Sequence, residues 1–169
     1  MDMTLDFAIL VGIYTGIAAA FDLKMRRIPN YVTVPAALIG LGYHALMPSG
    51  MGVWMSLAGF AVGFSLLLLP WLLGGGGMGD VKLLAALGTW LGPLMVLVAF
   101  GVSAVLASFM SILVMMKSTM SKGIQKTRRQ YMGKSKAGKP RRAIPFAIPV
   151  ALSTWLMLAW MVAKQSLIQ

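Results

Sequence analysis

Six apolar stretches, running roughly over residues 4–21, 31–47, 53–73, 81–91, 94–116 and 144–163, take up most of this chain. A helix needs about 20 residues to cross the hydrocarbon of a bilayer, and most of the stretches reach that length within a few residues. Residues 81–116 are too many for one crossing, and Gly92-Pro93 supplies a break. That leaves 81–91 as a short helix, which spans only with help from bilayer thinning or neighbouring protein. The expected fold is an all-α membrane protein of about six transmembrane helices, the fourth short, packed as one bundle over residues 1–169. A soluble domain carries about 25% charged residues. Here the share is 11%, hydrophobic residues make up 59%, and mean hydropathy is +0.82.

The basic residues orient the bundle. Lys24, Arg26 and Arg27 fall in the first loop, and Lys82 adjoins the third. Ten more (Lys117, Lys122, Lys126, Arg128, Arg129, Lys134, Lys136, Lys139, Arg141 and Arg142) crowd the loop 117–142. All but Lys164 therefore share one face, which the positive-inside rule makes cytoplasmic. Both termini are then outside, and the first stretch, which lacks a basic n-region beside Asp2 and Asp6, is expected to be retained. The net charge of +11 could suggest nucleic acid, but loop 117–142 interleaves only Tyr131 as an aromatic. Anionic lipid headgroups are the expected partners of these cations, each worth about 1 kcal/mol near the surface.

Against this background two carboxylates stand out. Of four acidic residues, Asp2 and Asp6 lie beside the N-terminus, which leaves Asp22 and Asp80 as the interior pair. Ionisable groups at the edge of a hydrocarbon layer are costly and mark functional sites by default. The topology brings both to the cytoplasmic boundary. Each also fits a plain structural role. Asp22 ends a helix, where the dipole disfavours a carboxylate, and could pair with Lys24 or Arg26 as an anchor. Asp80 follows Gly74 to Gly77, Met78 and Gly79, a run free to adopt unusual dihedrals, and could cap the next helix. A phosphate cradle is a third possibility, discounted because the Gly-Lys-Ser/Thr ending is missing and an aspartate there would repel phosphate. Pro29-Asn30 reads as the start of the second helix.

Other residues are given bland roles. Trp54, Trp90, Trp71 and Trp160 fall near helix ends, as interfacial belts do, and His44 is placed at the outer interface. Gly12-xxx-Gly16, Gly59-xxx-Gly63 and Gly88-xxx-Gly92 fit close helix packing. Ser103, Ser108 and Ser111 have no histidine nearby in the topology, so a serine-protease reading fails. Cysteine is absent, which excludes disulfides and thiolate metal sites. His44 has no partners for a metal cluster, so no metal or cofactor is expected.

Two segments carry a resemblance: Asp22-Leu23-Lys24-Met25-Arg26-Arg27-Ile28-Pro29-Asn30 and Gly77-Met78-Gly79-Asp80-Val81-Lys82-Leu83. With a weaker match at Ile144-Pro145-Phe146-Ala147-Ile148-Pro149, the chain resembles the prepilin peptidases. These are membrane aspartic proteases of the Gly-x-Gly-Asp type that process type IV prepilins and pseudopilins. The resemblance implies Asp22 and Asp80 as a catalytic dyad, supported by Lys24, Arg26, Pro29, Asn30, Gly77, Gly79 and Lys82. It implies a bacterial inner-membrane enzyme whose substrate has a short basic leader, cleaved on the cytoplasmic side before a hydrophobic helix. Larger members also N-methylate the new terminus and carry a cysteine-rich cytoplasmic segment. With no cysteine and a short first loop over 22–30, this chain looks more like the short peptidases of Flp/Tad-type pilus systems.

The chemistry suits two such groups. Carboxylates that share a site keep one proton between them. The ionised partner takes a proton from water as it attacks the scissile carbonyl, and the protonated one polarises that carbonyl. Which aspartate plays which part stays open, because a coupled pair titrates as a unit. Two competitors remain. A presenilin-type or signal-peptide-peptidase-type intramembrane protease shares Gly-x-Gly-Asp, but its other aspartate follows tyrosine within a helix, where this chain has Phe21 and then a basic loop. A non-enzymatic assembly or transport subunit would pair its aspartates with lysines.

Overall fold

A computed structural model describes residues 5–25, 27–47, 50–73, 77–132 and 146–166. Among the described residues the chain forms five helices and no strand: α1 Leu5–Met25, α2 Asn30–Leu46, α3 Val53–Leu72, α4 Met78–Met132 and α5 Ala147–Ser166. Four segments are long and apolar enough to cross a membrane: Asp6–Met25, Val53–Leu72, Met78–Val114 and Ala147–Lys164. The chain is thus a multi-pass, all-helical membrane protein.

The helix count differs from the six expected. Residues 81–91 and 94–116 both belong to α4, because helical pairing runs through Gly92-Pro93 without an intervening loop. The break foreseen there survives as one residue: Gly92 has φ of 74°, a left-handed conformation that glycine alone adopts freely. Pro93 follows it and has no N–H to donate. α2 has 17 residues, short of the ~20 that a perpendicular crossing requires.

The N-terminal part of α4 is the axis of the fold. From Val81 to Gly92 every residue except Lys82 is buried, the signature of a helix that is apolar all round. α3 meets this segment backbone to backbone. A Cβ on Gly59 would collide with the Gly88 carbonyl and Gly92, and one on Gly63 with the Leu84 carbonyl. Two of the three small-residue pairs read from the sequence therefore pack against each other. The third, Gly12 and Gly16 on α1, lies under the Trp155 ring of α5.

On the opposite side, α2 presents Thr33, Ala36, Gly40 and His44 inward. The Trp90 indole N–H donates to the Ala36 carbonyl at 2.8 Å. His44 Nε2 donates to the Trp90 carbonyl at 2.9 Å, while Nδ1 accepts the Met51 N–H at 3.3 Å. Both residues depart from the interfacial places expected of them, since each is only 2% exposed. Their polar atoms find partners inside, so proximity to a helix end did not oblige them to face headgroups. Trp54 and Trp160, at 84% and 64% exposure, do face outward.

α1 buries Phe7, Val11, Tyr14, Ala18 and Asp22, a stripe at helical spacing that continues straight into the carboxylate. Tyr14 donates its hydroxyl to the Leu83 carbonyl at 3.2 Å, which joins α1 to the α4 axis. α5 is tied to α4 by Ser153 Oγ donating to the Ala99 carbonyl at 3.1 Å. It is tied to α1 by the Trp155 indole donating to Thr15 Oγ1 at 3.0 Å.

Candidate active site

Asp22 lies in the last turn of α1 and is 4% exposed. The C-terminal end of a helix is its negative pole, so α1 alone is a poor host for a carboxylate. The structure supplies a host from elsewhere: Asp22 Oδ2 accepts the backbone N–H of Ala147 at 3.1 Å. Ala147 is the first residue of α5, so the carboxylate faces the positive pole of another helix.

Asp80 is 6% exposed and sits in the first turn of α4, where the dipole favours an acid. It is not the cap that its position before Val81 suggested. α4 already begins at Met78, and the Asp80 N–H pairs with the Gly77 carbonyl at 3.0 Å. Along α4, Asp80 shares a helical stripe with Leu84, Leu87 and Leu91, all buried, so its side chain leaves from the core face of the axis.

The segment linking α1 to α2 brings the two aspartates to one end of the bundle. Leaving Asp22, the chain reaches Ile28, buried at 6% exposure, whose backbone lies against Gly79. A Cβ on Gly79 would come 3.3 Å from the Ile28 N, tighter than side chains ordinarily allow. The glycine before Asp80 thus lets the first motif cross the start of α4. Gly77 contributes its carbonyl, which accepts from Asp80 and also from Val81 at 3.4 Å.

The remaining residues singled out by sequence separate into groups. Pro29 occupies the N-cap of α2 with φ −73° and ψ 150°, and its carbonyl accepts the Val32 N–H at 3.1 Å. Asn30 opens α2, as read. Its Oδ1 accepts from Lys82 Nζ at 2.8 Å, a bridge between the two motifs at the exposed rim of the site. Lys24 is exposed, and Arg26 lies outside the described residues. Within the basic segment, 117–132 continues α4, while 133–145 likewise lies outside the described residues.

The residue that sequence reasoning did not assign to the site is Ala147. Its contribution is a main-chain N–H, which no side-chain pattern announces. A faint signal existed in Pro145 and Pro149, since prolines concentrate in first turns. Buried carboxylates at one end of the bundle, each met by the start of a helix, are equipment for proton transfer.

Comparison with known proteins gives these residues a setting. Residues 9–112, a span that includes both aspartates, match the family model of the Type IV leader peptidase family. The chain is 31% identical over 145 residues to a prepilin leader peptidase/N-methyltransferase of Aeromonas hydrophila, across 82% of this chain and 44% of that protein. It is 36% identical over 92 residues to leader peptidase HopD of Salmonella typhimurium, across 50% of this chain and 54% of the relative. The chain spans about half the length of the curated relatives it matches. No solved structure matches it. Matched over more than half of its length, the chain belongs to the type IV leader peptidase family.

Proposed function

We propose that this protein is a membrane aspartic endopeptidase that removes the short basic leader of type IV prepilins or pseudopilins, with Asp22 and Asp80 as its catalytic pair. The observation that carries the reading is the burial of both carboxylates at one end of the bundle, at 4% and 6% exposure. They arrive there from sequence-distant helices in a chain with no other interior acid. One carboxylate takes a proton from water as the water oxygen adds to the scissile carbonyl. The other, protonated, donates to the carbonyl oxygen, and the leaving amine is protonated as the C–N bond breaks. Gly79 admits the first motif beside Asp80, the Gly77 carbonyl accepts the Asp80 N–H, Pro29 and Asn30 start α2 beside it, and Lys82 bridges to Asn30. Lys24, exposed in the last turn of α1, and Arg26, which follows it in the sequence, are assigned supporting roles for the basic motif.

In this reading the chain crosses the bacterial inner membrane six times, with the aspartate end cytoplasmic and both termini outside. Two observations support a reversal at Gly92-Pro93. The apolar part of α4 has 37 residues, about 55 Å of straight helix against a hydrocarbon core of about 30 Å. Ala99 also meets Ser153, which lies only about 9 Å along α5 from Ala147. On a straight α4, Ala99 would stand about 28 Å beyond Asp80. A turn at Gly92, whose φ is 74°, brings it back to the level of Ser153. The basic segment 117–142 then lies on the cytoplasmic side, where anionic lipid headgroups are its partners. We assign it neither nucleic acid nor an N-methyltransferase activity.

The test is cleavage of a co-expressed prepilin by Asp22→Asn and Asp80→Asn variants, with insertion in the membrane checked for each. Both are expected to leave the leader in place. Cleavage at the normal rate by either variant would sink the assignment.

A further inference from the structure

Asp22 has to be held in one orientation to act, yet its own helix offers little to hold it. The last carbonyls of α1 point the wrong way for a carboxylate, and a buried acid without a fixed partner is costly. The contact that answers this need comes from α5.

The start of α5 has few donors to give. A helix leaves its first N–H groups without partners inside the helix. In α5 the third position is Pro149, which has no N–H, and the Val150 N–H already pairs with the Phe146 carbonyl at 3.4 Å. Only Ala147 and Ile148 remain in the first turn, and Ala147 gives its N–H to Asp22 Oδ2 at 3.1 Å. The donor is also well anchored. Ala147 is 1% exposed and Val150 0%, and the Pro149 side chain is fully buried. Farther along, Ser153 binds the Ala99 carbonyl and Trp155 binds Thr15 and the Gly12 carbonyl. α5 is therefore pinned to both aspartate-bearing helices, and its first N–H cannot drift from Asp22.

We propose that the first turn of α5 is the positioning element of the active site: the Ala147 N–H holds Asp22 Oδ2 and leaves Oδ1 as the oxygen offered to the reacting water. This rests on the dyad reading above. Ala147 does not touch the substrate and acts through Asp22, and Pro149 and Val150 act through Ala147. Because an N–H at a helix start interacts most strongly with a negative oxygen, the contact tightens whenever Asp22 carries the charge.

The experiment removes one hydrogen from the full-length protein. Ala147 is replaced by its α-hydroxy acid counterpart, which puts an ester oxygen where the N–H was and keeps the methyl group. Ala147→Pro serves as a second variant, since proline is well accommodated at the first helical position. The same ester at Ala151, one turn on, controls for a weakened helix bond. Each is assayed with a membrane-inserted peptide carrying a basic leader ahead of an apolar helix. The expected result is a fall in kcat of about ten- to a hundred-fold for both Ala147 variants, the range of one charge-assisted hydrogen bond. KM should stay within about twofold, and the Ala151 ester should keep wild-type kcat. A kcat within twofold of wild type in the Ala147 ester, beside an inactive Asp22→Asn, overturns the positioning role and spares the dyad. A loss equal in the Ala147 and Ala151 esters also overturns it, since that is a folding effect. Full activity of Asp22→Asn would instead remove the dyad reading on which the proposal stands.

Discussion

At the end of the bundle where α1 begins, polar side chains close backbone carbonyls inside a ring of aromatics. His44 bridges the Trp90 carbonyl and the Met51 N–H, Trp90 reaches Ala36, and Ser56 donates to the Thr89 carbonyl at 2.7 Å. Phe7 packs on Tyr43, His44 and Trp90 at centroid separations of 5.6, 5.9 and 5.9 Å. At the end where α1 finishes, the buried polar side chains include both carboxylates and Thr33, Asp22 accepts the main-chain N–H of Ala147, and a lysine–asparagine bridge is open to solvent. Three helices, α1, α2 and α4, supply both ends, with α3 joining them at the first and α5 at the second. One end spends its polar atoms on joining helices, and the other keeps charge-bearing oxygens where a reaction can use them. In the proposed reading, stability and chemistry are separated along the axis of one small bundle.

That division can be broken, and the largest effect should come from the aspartates. Asp22→Asn and Asp80→Asn are expected to lower the cleavage rate by about 10²–10⁴-fold or more while moving the thermal midpoint in detergent by only a few degrees. A comparable loss of stability would mean that the aspartate end also carries the fold. Next comes Gly59→Leu, whose side chain has no room against the Gly88 carbonyl. It should cost about 3 kcal/mol or more, seen as lost expression of folded protein. If Gly59→Leu unfolds like wild type, α3 does not meet α4 backbone to backbone. His44→Ala leaves the Trp90 carbonyl and Met51 N–H without their partner and should cost about 2–3 kcal/mol by thermal unfolding. Cleavage per folded molecule should stay within twofold; a large drop in kcat would tie the histidine end to the chemistry. The smallest change is expected for Lys82→Ala, which removes the exposed bond to Asn30 and should shift stability by less than about 1 kcal/mol.

Much of this arrangement was legible from residue order. Apolar length and basic loops place Asp22 and Asp80 at one end, and the glycine pairs mark where helices touch. Trp90 and His44 were misread because closeness to a helix end says nothing about rotation about the helix axis. A signal was present for Trp90: residues 83–91 are apolar on every face except Thr89, which points to a protein environment and not to lipid. The helix count differed because Gly92-Pro93 breaks the geometry at one residue and leaves no loop to separate two elements. Ala147 was out of reach for another reason. Its partner lies 125 residues away, and the donor is the one group that every residue type but proline has in common.

The buried segment from Val81 to Leu91 has one more consequence. Walled in by protein, it makes no demand on the surrounding bilayer, although its helix is only about 16 Å long. The matching of protein to lipid falls instead on the flanking helices, such as α3, whose Phe60 and Leu69 face outward. Hydrophobic mismatch is commonly relieved by tilting. Gly59 and Gly63 fasten α3 to the backbone that follows Asp80, so a tilt of α3 carries Asp80 with it. Asp22 travels with α1 and α5. Because the Tyr14–Leu83 and Ser153–Ala99 bonds tie α1 and α5 to α4, bilayer thickness acts on both carboxylates together, through a segment that scarcely touches lipid.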